Sequence, residues 1–169
     1  GTVLVGGDYQ GNNAEIHNSV QTFVGADVLI KADAIESGNG GRVIIWADET
    51  TQFYGEISAR GGSQHGDGGF VETSGKEFLE INGAHVTATA THGDAGEWLL
   101  DPHNVTITAA TAGGAFAGAN PIVFTPIADS ATVDVVTIEA ALNAGTNVTI
   151  VTGIGGIVEP GNVTVAATI

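Results

Sequence analysis

The chain has 169 residues, 43% of them apolar and 14% charged, with a mean hydropathy of +0.22. That is one domain's length with enough apolar surface to offset the entropy of ordering, which excludes intrinsic disorder. Four basic residues stand against 19 acidic ones, a net charge of −15, the wrong sign for a nucleic-acid or anionic-membrane surface. Cysteine is absent, which removes disulfides, thiolate metal sites and thiol catalysis together. No apolar run approaches the ~20 residues of a membrane-spanning helix. The start, Gly1-Thr2-Val3-Leu4, lacks the regions of a signal peptide, as expected if a signal was removed or the chain is an interior fragment.

In chain order, residues 1–100 carry glycine-rich tetrads beginning at Gly11, Gly38, Gly66 and Gly93, spaced 27, 28 and 27 residues apart. Between them an apolar residue recurs two before a glycine: Phe23 with Gly25, Phe53 with Gly55, Ile81 with Gly83. A fixed period in this range predicts a solenoid. The stretches 42–47, 56–59, 76–81 and 85–90 are short, β-branched or alternating, and bounded by Gly, Asn or Asp, which predicts strands and leaves no room for amphipathic helices. Inward positions are expected at Val43, Ile45, Ile57, Val71, Val86 and Ala88. The predicted fold class is all-β, a parallel β-solenoid with coils of about 27 residues.

No proline precedes Pro102, and four occur from there on. The chain therefore divides into regular coils over 1–108 and a less regular continuation over 109–169. Within the second part, residues 109–133, with Pro121 and Pro126, read as a protruding loop or irregular coil. Asp134 to Gly145 has an N-cap residue, apolar Val135, Ile138, Ala141 and Leu142, and a terminating glycine, which predicts a short helix at 134–145. Asn-Val-Thr begins a strand three times, at Asn104, Asn147 and Asn162.

Four segments make the chain resemble a known family: Gly-Gly-Arg-Val-Ile-Ile-Trp-Ala-Asp (40–48), Gly-Glu-Ile-Ser-Ala-Arg-Gly-Gly (55–62), Gly-Asp-Gly-Gly-Phe-Val-Glu-Thr-Ser-Gly (66–75) and Glu-Trp-Leu-Leu-Asp-Pro-His-Asn-Val-Thr-Ile (97–107). They are similar to the large secreted adhesins of the filamentous haemagglutinin and high-molecular-weight adhesin type, and residues 138–150 resemble the next stretch of those adhesins. The resemblance implies a right-handed parallel β-helix exported across a Gram-negative outer membrane by a partner transporter and displayed outside the cell. It also implies binding to receptors or glycans on host or neighbouring cells. The amino-terminal secretion region of that family has no counterpart here, and receptor identity resides in no motif present.

Candidate chemistry comes from spacing. His65-Gly66-Asp67 and His92-Gly93-Asp94 lie 27 residues apart, so stacking in register would line one corner with two imidazoles and two carboxylates able to hold calcium or zinc. The competing view is that these are plain solvated corners. Asp48, Glu49, Glu72, Glu97 and Asp101 could supply an acid and a base, with Arg42 or Arg60 stabilising charge, though 19 acidic residues make accidental pairs easy. Ser58 and Ser74 lack a nucleophile-elbow context. Asn104, Asn147 and Asn162 match the glycosylation acceptor pattern, which also describes a corner asparagine before a β-branched strand. Trp46 and Trp98 fit packing better than sugar platforms.

The expected function is thus a non-catalytic structural and adhesive segment of a secreted surface protein. A polysaccharide-binding or polysaccharide-cleaving β-helix, and a filament subunit associating end to end, fit the same residues. A lateral cleft gathering carboxylates with Arg42 or Arg60 would favour the polysaccharide reading.

Overall fold

The structure, a computed structural model, describes residues 1–109, 114–117, 123–126, 131–152 and 161–169. Runs rich in β-branched and apolar residues form short strands, interrupted wherever Gly, Asn or Asp turns the chain. In chain order these are β1 (Thr2–Val5), β2 (Gln21–Val24), β3 (Leu29–Lys31), β4 (Arg42–Ala47), β5 (Thr50–Phe53), β6 (Glu56–Ser58), β7 (Phe70–Gly75), β8 (Phe78–Ile81), β9 (His85–Thr87), β10 (Glu97–Leu100) and β11 (Val105–Thr108). Then come β12 (Gly114–Ala117), β13 (Val123–Pro126), β14 (Ala131–Asp134), the helix α1 (Val135–Asn143), β15 (Asn147–Ile150) and β16 (Val163–Val165).

The strands sort into three parallel sheets: β1-β4-β7-β10-β15, β16-β11-β14-β8-β5-β2, and β3-β6-β9. The β12–β13 pair is antiparallel. This corrects the expectation of an all-β, right-handed β-helix with coils of about 27 residues. The sheets are separate parallel sheets of five, six and three strands accompanied by a helix, an α/β-type parallel-sheet fold. The physical reason lies in the intervals. Along the five-stranded sheet, partners are 40, 28, 27 and 50 residues apart, so the predicted period holds only from β4 to β10. Residues 6–19 lengthen the first interval, and β11 to α1 lengthen the last. The six-stranded sheet also breaks chain order, with β14 between β8 and β11.

The helix expected at 134–145 is present. Asp134 caps it by accepting from the Val136 N–H at 3.3 Å, and Gly145 lies just past its end. It packs against β9, β14 and β15, and Thr146 just beyond it accepts from the Ala88 N–H at 2.9 Å, closing the free edge of the three-stranded sheet. The loop expected over 109–133 contains β12, β13 and the start of β14; Pro121 and its neighbours lie outside the described residues.

The core is built by alternation along the strands. Val3, Val43, Val71, Trp98 and Val148 share one register row, and all belong to the core or pack on it. Val43, Ile45, Ile57, Val71, Val86 and Ala88 are all buried. Trp98 is fully buried, its Nε1–H donating to Thr73 Oγ1 at 2.9 Å. Glycine is required where strands enter the sheet: a Cβ at Gly69 would run into the Gly41 carbonyl oxygen. The landmark at residue 23 is out by one position. Val24, not Phe23, aligns with Phe53 and Ile81, and Phe23 projects into solvent.

Candidate functional site

The outer face of the five-stranded sheet holds two rows of side chains. The first is Thr2, Arg42, Phe70, Glu97 and Asn147, one residue from each strand in register. All five are exposed or half-buried. Neighbouring strands are about 4.8 Å apart, so the row spans roughly 19 Å across the sheet. It borders an open groove of about 800 Å³, whose glycine edge is formed by residues such as Gly41, Gly69 and Gly96. Arg42 is engaged from one side: its guanidinium meets Asp8 at 3.1 Å and lies 5.6 Å from the centre of the Tyr9 ring. Tyr9 in turn meets Phe70 edge-on at 5.9 Å. Hydrogen bonding to Asn13 above all, then to the Tyr9 N–H, with Arg42 adding, holds the Asp8 carboxyl below its ordinary range.

The second row is Leu4, Ile44, Glu72, Leu99 and Thr149. Here Ile44 and Glu72 are fully buried and Leu99 nearly so, because residues 6–19 fold over them. The approach of this loop is close: Gly11 has φ +64, and a Cβ there would lie 2.6 Å from Trp46 Nε1. Trp46 is correspondingly 5% exposed, with its Nε1–H on Asp48 Oδ1 at 3.2 Å. Gln10 crosses the buried carboxylates. Its N–H is shared between both Glu72 oxygens at 3.2 Å each, and its Nε2 donates to Asp101 Oδ2 at 2.7 Å. Asp101 N–H donates to Ser74 Oγ at 3.1 Å. Burial pushes the Glu72 carboxyl up to about 7, with Asp101 adding to the rise. Burial also raises Asp101, partly offset by Gln10 and His103.

Of the carboxylates singled out in the sequence, Glu72 and Asp101 are thus brought together under Gln10, while Glu97 stands in the open row and Asp48 holds Trp46 and Asn18. Glu49 is exposed. Arg60 is elsewhere, paired with Asp33 at 3.3 Å beside a cavity of about 240 Å³ that Thr89 and Thr91 also line. Desolvation acts to raise Asp33, but Ser58 and Arg60 outweigh it and leave its carboxyl below the ordinary value. Ser58 and Ser74 are buried and bonded to Asp33 and Asp101 respectively.

At the predicted corner, Asp67 Oδ1 accepts from the Asp94 N–H at 2.9 Å, and the Asp67 N–H donates to Asn39 Oδ1 at 3.0 Å. His92 Nδ1 lies 3.1 Å from the Ser63 carbonyl, and the His65 carbonyl accepts from Gly38 N–H at 2.9 Å. The bridge pairs Gly66 with His92, an offset of 26, which displaces the two imidazoles from one another by a residue. Among the described residues no three metal-capable side chains converge. Asn104 Oδ1 accepts from the Asn162 N–H at 2.9 Å, Asn147 Nδ2 donates to the Ala95 carbonyl at 3.3 Å, and Asn162 is exposed.

Asp8, Tyr9 and Gln10 were missed from sequence. Gln10 meets Glu72 and Asp101 across 62 and 91 residues, and the available signal was the extra length between β1 and β4. No family model and no curated protein matches the chain. Among the described residues no helix is long and apolar enough to cross a membrane.

Proposed function

We propose that this chain is a structural and adhesive segment of a secreted bacterial surface protein of the haemagglutinin-like kind, contacting cell-surface glycans through the outer face of its five-stranded sheet. The observation that carries this reading is the open row Thr2, Arg42, Phe70, Glu97 and Asn147, which sets one aromatic ring among four hydrogen-bonding side chains along an open groove. Planar polar groups and an aromatic edge suit hydroxyl-rich, weakly apolar polymers. A net charge of −15 selects against sulfated or uronic-acid chains, leaving neutral glycans as the ligand class. The four motif segments resembling secreted adhesins support the extracellular setting, with export through an outer-membrane partner transporter.

The polysaccharide-cleaving alternative calls for two accessible carboxylates. The groove offers a single carboxylate, Glu97, two strands from Arg42 across Phe70, whereas Glu72 and Asp101 are bonded to Gln10, so the geometry favours binding over cleavage. A neutral-glycan array and an adherence assay on intact cells test this, comparing wild type with Phe70→Ala/Asn147→Ala. Loss of binding on the order of tenfold is expected. Equal binding by the variant, or release of reducing ends from a bound glycan, would overturn the reading.

A further inference from the structure

Glu72 is a carboxylate in a row whose strand neighbours are Ile44 and Leu99. It is fully buried, yet the segment covering it supplies only the Gln10 N–H, split between two oxygens at 3.2 Å, the long end of the hydrogen-bond range. Two further acceptors are closed in without a donor among the described residues, Asp101 Oδ1 and Asn18 Oδ1. The closed arrangement therefore withholds hydrogen bonds that water would restore.

The covering segment is tied together within itself and anchored at one end, where the Ser19 carbonyl accepts from the Asp48 N–H at 2.8 Å. Its ends meet, with Ser19 N–H donating to the Gly6 carbonyl at 2.7 Å, and Asn13 on Asp8 and Asn18 on Gly11 tie it internally. A compact loop with joined ends can lift without unpairing β1 or β2. The ionisable groups acting on Glu72 are Asp101 beyond β10 and Arg42 from β4, with His103 behind Asp101 and Asp8 paired to Arg42; Ser74 of β7 and Gln10 are its neutral partners. Arg42, the cation acting on Glu72, is shared with Asp8.

We propose that residues 6–19 are a proton-controlled cover, closed while Glu72 carries its proton and released as Glu72 ionises. The sign is set by linkage. A carboxyl raised in the closed form and ordinary in the open one favours closure below the ordinary value of 4.5; that preference is lost as pH climbs, and is gone above about 7. Opening withdraws Asp8 from Arg42 and Tyr9 from Phe70, so the groove gains a free guanidinium and a free ring at neutral pH. That consequence rests on the groove being the contact surface; the cover itself does not.

Amide exchange in the 169-residue chain at pH 5 and pH 8, corrected for intrinsic rates and measured without ligand, tests the cover. Protection of the Gln10 amide, which donates to Glu72, should fall by about tenfold or more at pH 8, with the Ser19, Val43 and Val71 amides unchanged. In Glu72→Gln the Gln10 amide should stay protected at either pH. Wild-type protection that does not vary with pH overturns the proposal. Should Glu72→Gln lose core protection and so fail to fold, carboxyl-carbon titration of wild-type Glu72 decides instead: a midpoint near 7 supports the cover, and one near 4.5 overturns it. Exchange that depends on pH with no glycan binding counts against the groove and leaves the cover standing.

Discussion

Two rows of side chains run side by side across the same five strands, two residues apart along each, and solvent treats them in opposite ways. Thr2, Arg42, Phe70, Glu97 and Asn147 stay open, while Ile44, Glu72 and Leu99 are sealed by residues 6–19. The strands do not differ between the rows; what differs is a loop inserted between β1 and β2. A surface facing outward by pleat alone is therefore not a surface facing water, and its stability and titration are set by its cover.

Substitutions along β4 sharpen this comparison, because consecutive residues sample the core, the covered row and the open row. Val43→Asp should have the largest effect, about 4 kcal/mol or more, since it places an unpaired charge among Val3, Val71 and their neighbours. Ile44→Ala should cost about 2–4 kcal/mol, a core-like penalty on an outward residue. If denaturant unfolding finds Ile44→Ala near neutral, the cover does not seal the row as described.

The buried carboxylate provides the next largest effect. With Glu72 raised from 4.5 to about 7, wild type should lose stability as pH rises through that window, by on the order of 3 kcal/mol in total. Glu72→Gln should flatten that part of the curve. A wild-type melting temperature that climbs steadily from pH 4.5 to 7 would contradict the burial assigned to this side chain.

The same division separates the features legible in the sequence from those hidden in it. Alternation placed Val43, Ile45 and Val71 in the core, and Asp134 with Gly145 bounded the helix, because those signals are local. The solenoid expectation came from glycine spacing, which reports close strand approach at Gly41, Gly69 and Gly96 but says nothing of what is inserted between strands. Gly11-Asn12-Asn13-Ala14 matched the other tetrads in composition, yet it belongs to the cover. Its glycine answers to Trp46, not to a neighbouring strand. Glu72 stood among five candidate carboxylates with nothing local to separate it from the rest. Its distinction comes from Gln10, a contact across 62 residues that no periodicity encodes.

The smallest effect concerns charge. Only two ion pairs, Asp8–Arg42 and Asp33–Arg60, form among the described residues, and both arginines are substantially exposed, so screening them loses little. Repulsion among 19 acidic residues is the larger quantity, so sodium chloride should raise the melting temperature by a few degrees. Calcium or zinc at the same ionic strength should add nothing at His65, Asp67, His92 and Asp94. Asp67 already spends one oxygen on the Asp94 N–H, and the Gly66–His92 pairing sets the imidazoles a residue out of step. An extra rise with zinc that disappears in His65→Ala/His92→Ala would show that the corner rearranges to bind metal. One with calcium that survives those changes would place the ion on Asp67 and Asp94 instead.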